Sequence, residues 1–272
     1  MELLTILLSG LLAFASPVGL IIDKVIESNL RSRLNKVEQL QVRVDNSPSY
    51  QLAQGKVERV RIAGRGLWLT PDIRVGALEI ETDPLNVDLQ RLRQGGQKSA
   101  KESLRQPVQA GARLVLTEED VNKALQSPTI AQRLRRVGSS LSGGSSEPYE
   151  LVNPKVDFLG NNRIRFQGEL VRNDTEPLVL IVESGLNFTG GHSLKLIEPV
   201  ATLNGRALSP FLVAGFTEGI SRRFDLRTLK EAGITARVLQ WKVDTRELEV
   251  AAFVRVDASN QSPTAKIGAR RS

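Results

Sequence analysis

Between Val42 and Leu89 the chain alternates short apolar and polar positions, pairing Val42 with Val44, Val60 with Ile62, Ile73 with Val75 and Leu78 with Ile80. Asn46-Ser47-Pro48, Gly64-Arg65-Gly66 and Thr70-Pro71-Asp72 punctuate the runs. A period of two between such breaks predicts antiparallel strands with one aliphatic face and one charged face. The charged face would carry Arg43, Asp45, Arg59, Arg61, Arg74, Glu79 and Glu81.

The same pattern returns later. Ala112 to Leu116 predicts a strand, and Thr117-Glu118-Glu119-Asp120 a helix start, with Thr117 as cap and acids in the first turn. Val121, Ala124 and Leu125 give that helix its apolar stripe. Ser127-Pro128 restarts a helix, and residues 138–148 predict a flexible loop. Gly160-Asn161-Asn162 joins two strands, Gly190-Gly191 joins two more, and Asn204-Gly205 makes a further turn. Ser209-Pro210 opens a helix through Phe211, Leu212, Phe216, Ile220 and Phe224. A short helix from Asp225 to Gly233 follows. In the last hairpin Leu239, Trp241 and Val243 alternate, Asp244-Thr245-Arg246 turns, and Leu248 to Val256 alternate back.

Ahead of the strands lies an apolar run from Leu3 to Ile22, about long enough to cross a bilayer and divided by Pro17. Its first part ends in Ala13-Phe14-Ala15, the small-residue pattern of a cleavage site, but Glu2 stands where a signal peptide carries positive charge. An anchor at 1–16 would keep the body on the cytoplasmic side by the positive-inside tendency, and a cleaved signal would place it outside. A buried core helix is the third reading. From Ser16-Pro17 onward Val18, Ile22, Val25, Ile26, Leu30, Leu34 and Val37 recur at helical spacing, which predicts an amphipathic helix feeding the first strand.

Composition narrows the chemistry. The 272 residues are 40% hydrophobic and 25% charged, an ordinary globular balance, read here as one domain over 17–256 with a basic tail at 257–272. No cysteine is present, which excludes disulfides, thiolate catalysis and Cys-based metal sites. His192 is the single histidine and falls at a hairpin tip, where an exposed loop side chain is the plain reading. Catalytic and transition-metal sites therefore have few candidate residues, and no cofactor and no enzymatic activity are expected. The net charge of +7 allows an anionic partner, while 4% aromatic residues argue against a nucleic-acid stacking platform. Arg91, Arg93, Lys98, Lys101 and Arg105 stand against Glu102 alone, as a solvated loop or as a contact to lipid head groups.

The strings from Arg43 to Tyr50, Gly55 with Val57 to Leu67, Leu78 to Pro84, and Leu116 to Asp120 resemble the LmeA-like phospholipid-binding family, in its cyanobacterial form, over about residues 18 to 256. That resemblance implies an α+β fold, with a curved antiparallel sheet wrapping long amphipathic helices as in tubular lipid-binding (TULIP/BPI-like) folds. It also implies a phospholipid partner and a membrane-associated place in the bacterial cell envelope. Its motifs are turns and strand edges, so no catalytic residue carries over. On this reading Val18, Ile22, Val25, Ile26, Phe211, Leu212 and Phe216 form the helical side of an acyl-chain pocket, and Val60, Ile62, Trp241, Val250 and Val254 the sheet side. Each sheltered methylene adds roughly 0.8 kcal/mol, so aliphatic side chains suffice to bind. The alternative is an anchored interaction protein with a solid core and a basic recruitment loop.

Overall fold

The computed structural model describes residues 22–46, 49–93, 101–132, 134, 149–172 and 175–258. The apolar run before Ile22, Val18 within it, Lys98, the 138–148 loop and the tail beyond Ala258 lie outside the described residues. The fold is α+β, built mainly of antiparallel strands in two open sheets with a few helices.

Helix α1 (Ile22–Arg33) leads into β1 (Lys36–Asp45). The helical spacing of the sequence continues to Val37, but the helix stops earlier because the Asn35 N–H donates to the Trp68 carbonyl at 2.8 Å and starts the sheet. Strand β2 (Lys56–Val57) pairs with β5 (Leu85–Asn86) in a small ribbon, and between them run β3 (Arg59–Thr70) and β4 (Ile73–Thr82). Gly64-Arg65-Gly66 lies inside β3 rather than between strands. Gly66 has φ of 54°, and a side chain there would run into the Glu38 carboxylate, so the glycine makes a kink in a continuous strand. A short helix α2 (Leu89–Arg93) precedes β6 (Val108–Thr117).

Helix α3 (Glu118–Gln126) opens with the expected capping box, Thr117 accepting from the Asp120 N–H and Asp120 from the Thr117 N–H. The second sheet contains β7 (Glu150–Gly160), β8 (Arg163–Val171), β9 (Leu178–Thr189), β10 (Ser193–Leu203) and β11 (Arg206–Ala207). Helix α4 (Pro210–Arg223) starts at Ser209 with Pro210 in its first turn, as Ser-Pro predicts. A 3-10 turn, Leu226–Ala232, is capped by Asp225 and ended by left-handed Gly233. Strands β12 (Ile234–Val243) and β13 (Glu247–Val256) return to the first sheet, whose order is β1-β3-β4-β6-β13-β12. The second sheet runs β11-β10-β9-β8-β7.

The main core lies between α1 and the first sheet, where Ile26 and Leu30 are buried against Leu40, Val42, Val60 and Ile62. Ala258, just past β13, is buried in the same cluster. Helix α3 joins the sheets. The Asn122 side chain accepts from the Val156 N–H at 2.7 Å and donates to the Val156 carbonyl at 2.8 Å, while Glu118 accepts from the Phe158 N–H at 2.7 Å. On its other side Asp120, only 3% exposed, accepts two bonds from one Arg74 nitrogen at 3.1 and 2.9 Å. Arg74 also stacks 5.0 Å from the Trp68 ring. Asp120 therefore ties β4 to the helix that holds β7, so Asp120→Ala is expected to destabilise the fold by about 3 kcal/mol in urea titration, combining a broken buried pair with a lost cap.

Candidate functional site

The aliphatic face of the first sheet is the broadest feature that the register assembles. Pairing sets Val42, Ile62, Ile80, Ala112 and Ala252 in one row across five strands. A neighbouring row holds Leu78, Leu114, Val250 and Trp241. Near β1 this face is sealed, since α1 covers Val42, Val60 and Ile62. Toward β6 and β13 the cover thins, and Ala110, Ala112, Leu114, Val250, Ala252 and Val254 are only half-buried. An open cavity of about 690 Å³ spans the row from Val42 and Glu27 at one edge to Ala252 and Leu239 at the other.

Charge lies on the opposite parity. Arg61 meets Asp45 at 3.2 Å and Glu81 at 3.4 Å; Arg113 meets Glu249 at 2.5 Å and Glu79 at 3.4 Å; Arg59 meets Glu81 at 3.0 Å. The hydrogen bond from Arg113 holds the Glu249 carboxyl below its ordinary range, and Arg43 does the same for Asp45. These pairs are partly exposed and screened by solvent, so each contributes little on its own. Glu27, from α1 on the aliphatic side, also borders the cavity and gives its floor a polar edge. Such a floor selects by apolar contact rather than by bond chemistry. Among the described residues no group of three or more His, Cys, Asp or Glu could hold a metal ion.

A family model for LmeA-like phospholipid-binding proteins matches residues 14–253. The chain belongs to that family. Membership points to phospholipid as the partner and to membrane association as the setting. No curated protein and no solved structure matches the chain. No helix among the described residues is long and apolar enough to cross a membrane.

In this LmeA-like chain the sequence-selected residues fall into three groups. Ile26, Val60 and Ile62 are fully buried together under α1, with Val254 packed against them. Val25 is half-buried on the same helix. Trp241 and Val250 face each other across β12 and β13, and Trp241 packs against Phe188 of the second sheet with ring centres 5.1 Å apart at a tilt of 53°. Phe211 and Leu212 sit on α4, which packs on β10 rather than on the first sheet, and both are exposed. The side chains of Ile22 and Phe216 lie outside the described residues.

The basic set is similarly divided. Arg91 is exposed and its guanidinium donates to the Glu102 carbonyl at 3.4 Å, while Arg105 lies 3.7 Å from Asp88. The Arg91 N–H bonds to Asp88 and lowers that carboxyl's pKa. Lys101 turns inward and donates to the Ala232 carbonyl at 2.5 Å. The Arg93 side chain lies outside the described residues.

The sequence placed Ala112 and Ala252 in alternating strands but did not select them, or Ala110, for the site, although their alternation with Leu114 and Val250 carried the signal. It also placed His192 at an exposed tip. Instead the β9–β10 turn packs against β12, where the Val238 N–H donates to the Gly191 carbonyl at 2.7 Å. His192 Nδ1 and Trp241 Nε1 are consequently buried, with no hydrogen-bond partner among the described residues.

The depressed carboxyl pKa values fix the sign of a pH effect. Such groups contribute stability above their unfolded pKa, near 4, and lose it as pH falls through the lower folded value. Arg113→Gln is therefore expected to flatten the decline of the urea midpoint between about pH 5 and pH 3 relative to the parent chain. An equally steep decline in the variant would show that the Arg113 pairs do not contribute.

Proposed function

We propose that this LmeA-like protein binds phospholipid by sheltering acyl chains against the half-covered aliphatic face of its first sheet, as one lipid-binding domain. It passes lipid between membranes of the bacterial cell envelope, acting by binding and not by catalysis. In this reading the sheet and α1 correspond to the tubular lipid-binding arrangement, with Ile80, Ala112, Val250, Ala252 and Val254 as the floor and Val25 and Trp241 at its margins. Arg91 and Arg105 meet the head group.

The observation that supports it is the cavity of about 690 Å³ along an unbroken aliphatic row. Its volume falls within the roughly 300–1,000 Å³ of ordinary small-ligand sites. Covering such a row stabilises whatever state covers it by roughly 25 cal/mol per Å² of apolar surface removed from water. An acyl chain supplies that cover.

Lipid extraction and native mass spectrometry of the purified full-length chain test the reading, and bound phospholipid is expected. Ala252→Trp fills the row and should lower uptake of a fluorescent phospholipid about tenfold with little change in the unfolding midpoint. Absence of co-purified lipid, together with no uptake by the parent chain, would leave the interaction-protein reading standing.

A further inference from the structure

Helix α4 reverses the usual order of a surface helix. Its inward side, through Val213, Thr217, Ile220 and Ser221, packs toward the second sheet, and Val213 joins the cluster around Leu180, Val182 and Ala201. The outward side should then be polar. It carries Phe211, 85% exposed, Leu212, 56% exposed, and the exposed small residues Ala214, Gly215 and Gly219. At 100° per residue Phe211, Gly215 and Arg222 fall on one line, flanked by Leu212, Gly219 and Arg223.

Charge brackets this face. Arg222 and Arg223 close the last turn, and Arg206 stands exposed on β11 just ahead of the helix. The one acid on the helix, Glu218, falls on the same line, 3.9 Å from Arg222, and three arginines around the face outweigh it. Cα-only residues in the middle let the helix approach a flat surface closely, while a phenylalanine at one end projects beyond it. An apolar face rimmed by arginine is the pattern of a helix lying in a membrane interface, its rings among the acyl chains and its guanidinium groups at the phosphates.

We infer that the outward face of α4 is a membrane-docking surface for anionic bilayers, with Phe211 and Leu212 inserting and Arg206, Arg222 and Arg223 contacting lipid phosphates. This rests on the membrane association of the proposed function but not on its cavity. The surface would hold the protein at the bilayer while lipid enters elsewhere. Phe211 and Leu212 thereby serve the membrane from outside rather than lining a pocket.

Because the chain has no native cysteine, Phe211→Cys can carry a single environment-sensitive dye, with Asp72→Cys in the exposed β3–β4 turn as control. Full-length protein is mixed with vesicles of phosphatidylglycerol and phosphatidylcholine, some bearing a nitroxide on the acyl chain. The label at 211 should shift to the blue and be quenched by the nitroxide, while the label at 72 does neither. Arg222→Gln with Arg223→Gln should weaken this response about tenfold or more at low salt. Phe211→Ser with Leu212→Ser should abolish docking by this face yet leave uptake of micelle-dispersed fluorescent phospholipid unchanged, which separates this surface from the cavity. No shift at 211, an equal shift on pure phosphatidylcholine, or a protein-concentration-dependent shift without vesicles would overturn the inference, the last assigning the face to a second copy of the chain.

Discussion

The larger sheet depends on its register. Val42 stands opposite Ile62, Ile62 opposite Ile80, Ile80 opposite Ala112, and Ala112 opposite Ala252, so every strand turns its aliphatic positions to the same side. A slip of one residue in β1 or β3 would carry arginines to that side and strand them under α1. The ion pairs on the other face reinforce the same alignment, because Arg61 reaches both Asp45 and Glu81, and Arg113 both Glu79 and Glu249, only when their strands are in step. Individually weak, these pairs act mainly to specify alignment.

A second constraint is the junction between the sheets. Three side chains of α3 make it, each with a different partner: Glu118 and Asn122 bind the backbone of β7, and Asp120 binds Arg74 of β4. The turn before β8 adds Asn162, whose side chain accepts from the Val243 N–H at 2.7 Å and whose own N–H donates to the Val243 carbonyl at 3.1 Å. Behind these bonds Val156, Phe158 and Val243 form a small buried cluster with Val121 and Trp241 against it. Polar bonds fix the geometry at this seam and apolar burial supplies much of its favourable free energy.

Together the two constraints leave apolar surface in two places. On the first sheet it runs as a groove along an aliphatic row, which suits a ligand with a long apolar part. On α4 it is convex and bracketed by arginines, which suits an extended lipid surface. A phospholipid-binding protein has to meet lipid both as single molecules and as a bilayer, and the two proposed roles divide those tasks.

Much of the local structure was legible in the sequence because its causes are local. The Thr117 capping box, the Ser209-Pro210 helix start, the Asp225 and Gly233 caps and the Asp244-Thr245-Arg246 turn follow from side chains that satisfy nearby backbone groups. Alternation likewise identified the aliphatic and charged faces around Val60 and Ile62, and the turn and strand-edge strings identified the family. Only the tertiary structure decided which faces meet. A bulge between Val238 and Gln240 takes Leu239 out of its expected alternation with Trp241 and leaves it 66% exposed. Arg74, on the expected charged face, turns to the buried Asp120 because α3 packs there. The two apolar helices that look alike in sequence part company, α1 sealing one end of the first sheet and α4 packing on the second with phenylalanine outward. Periodicity records that a face is apolar; whether protein or lipid covers it depends on contacts between residues far apart in the chain, which a local pattern does not encode.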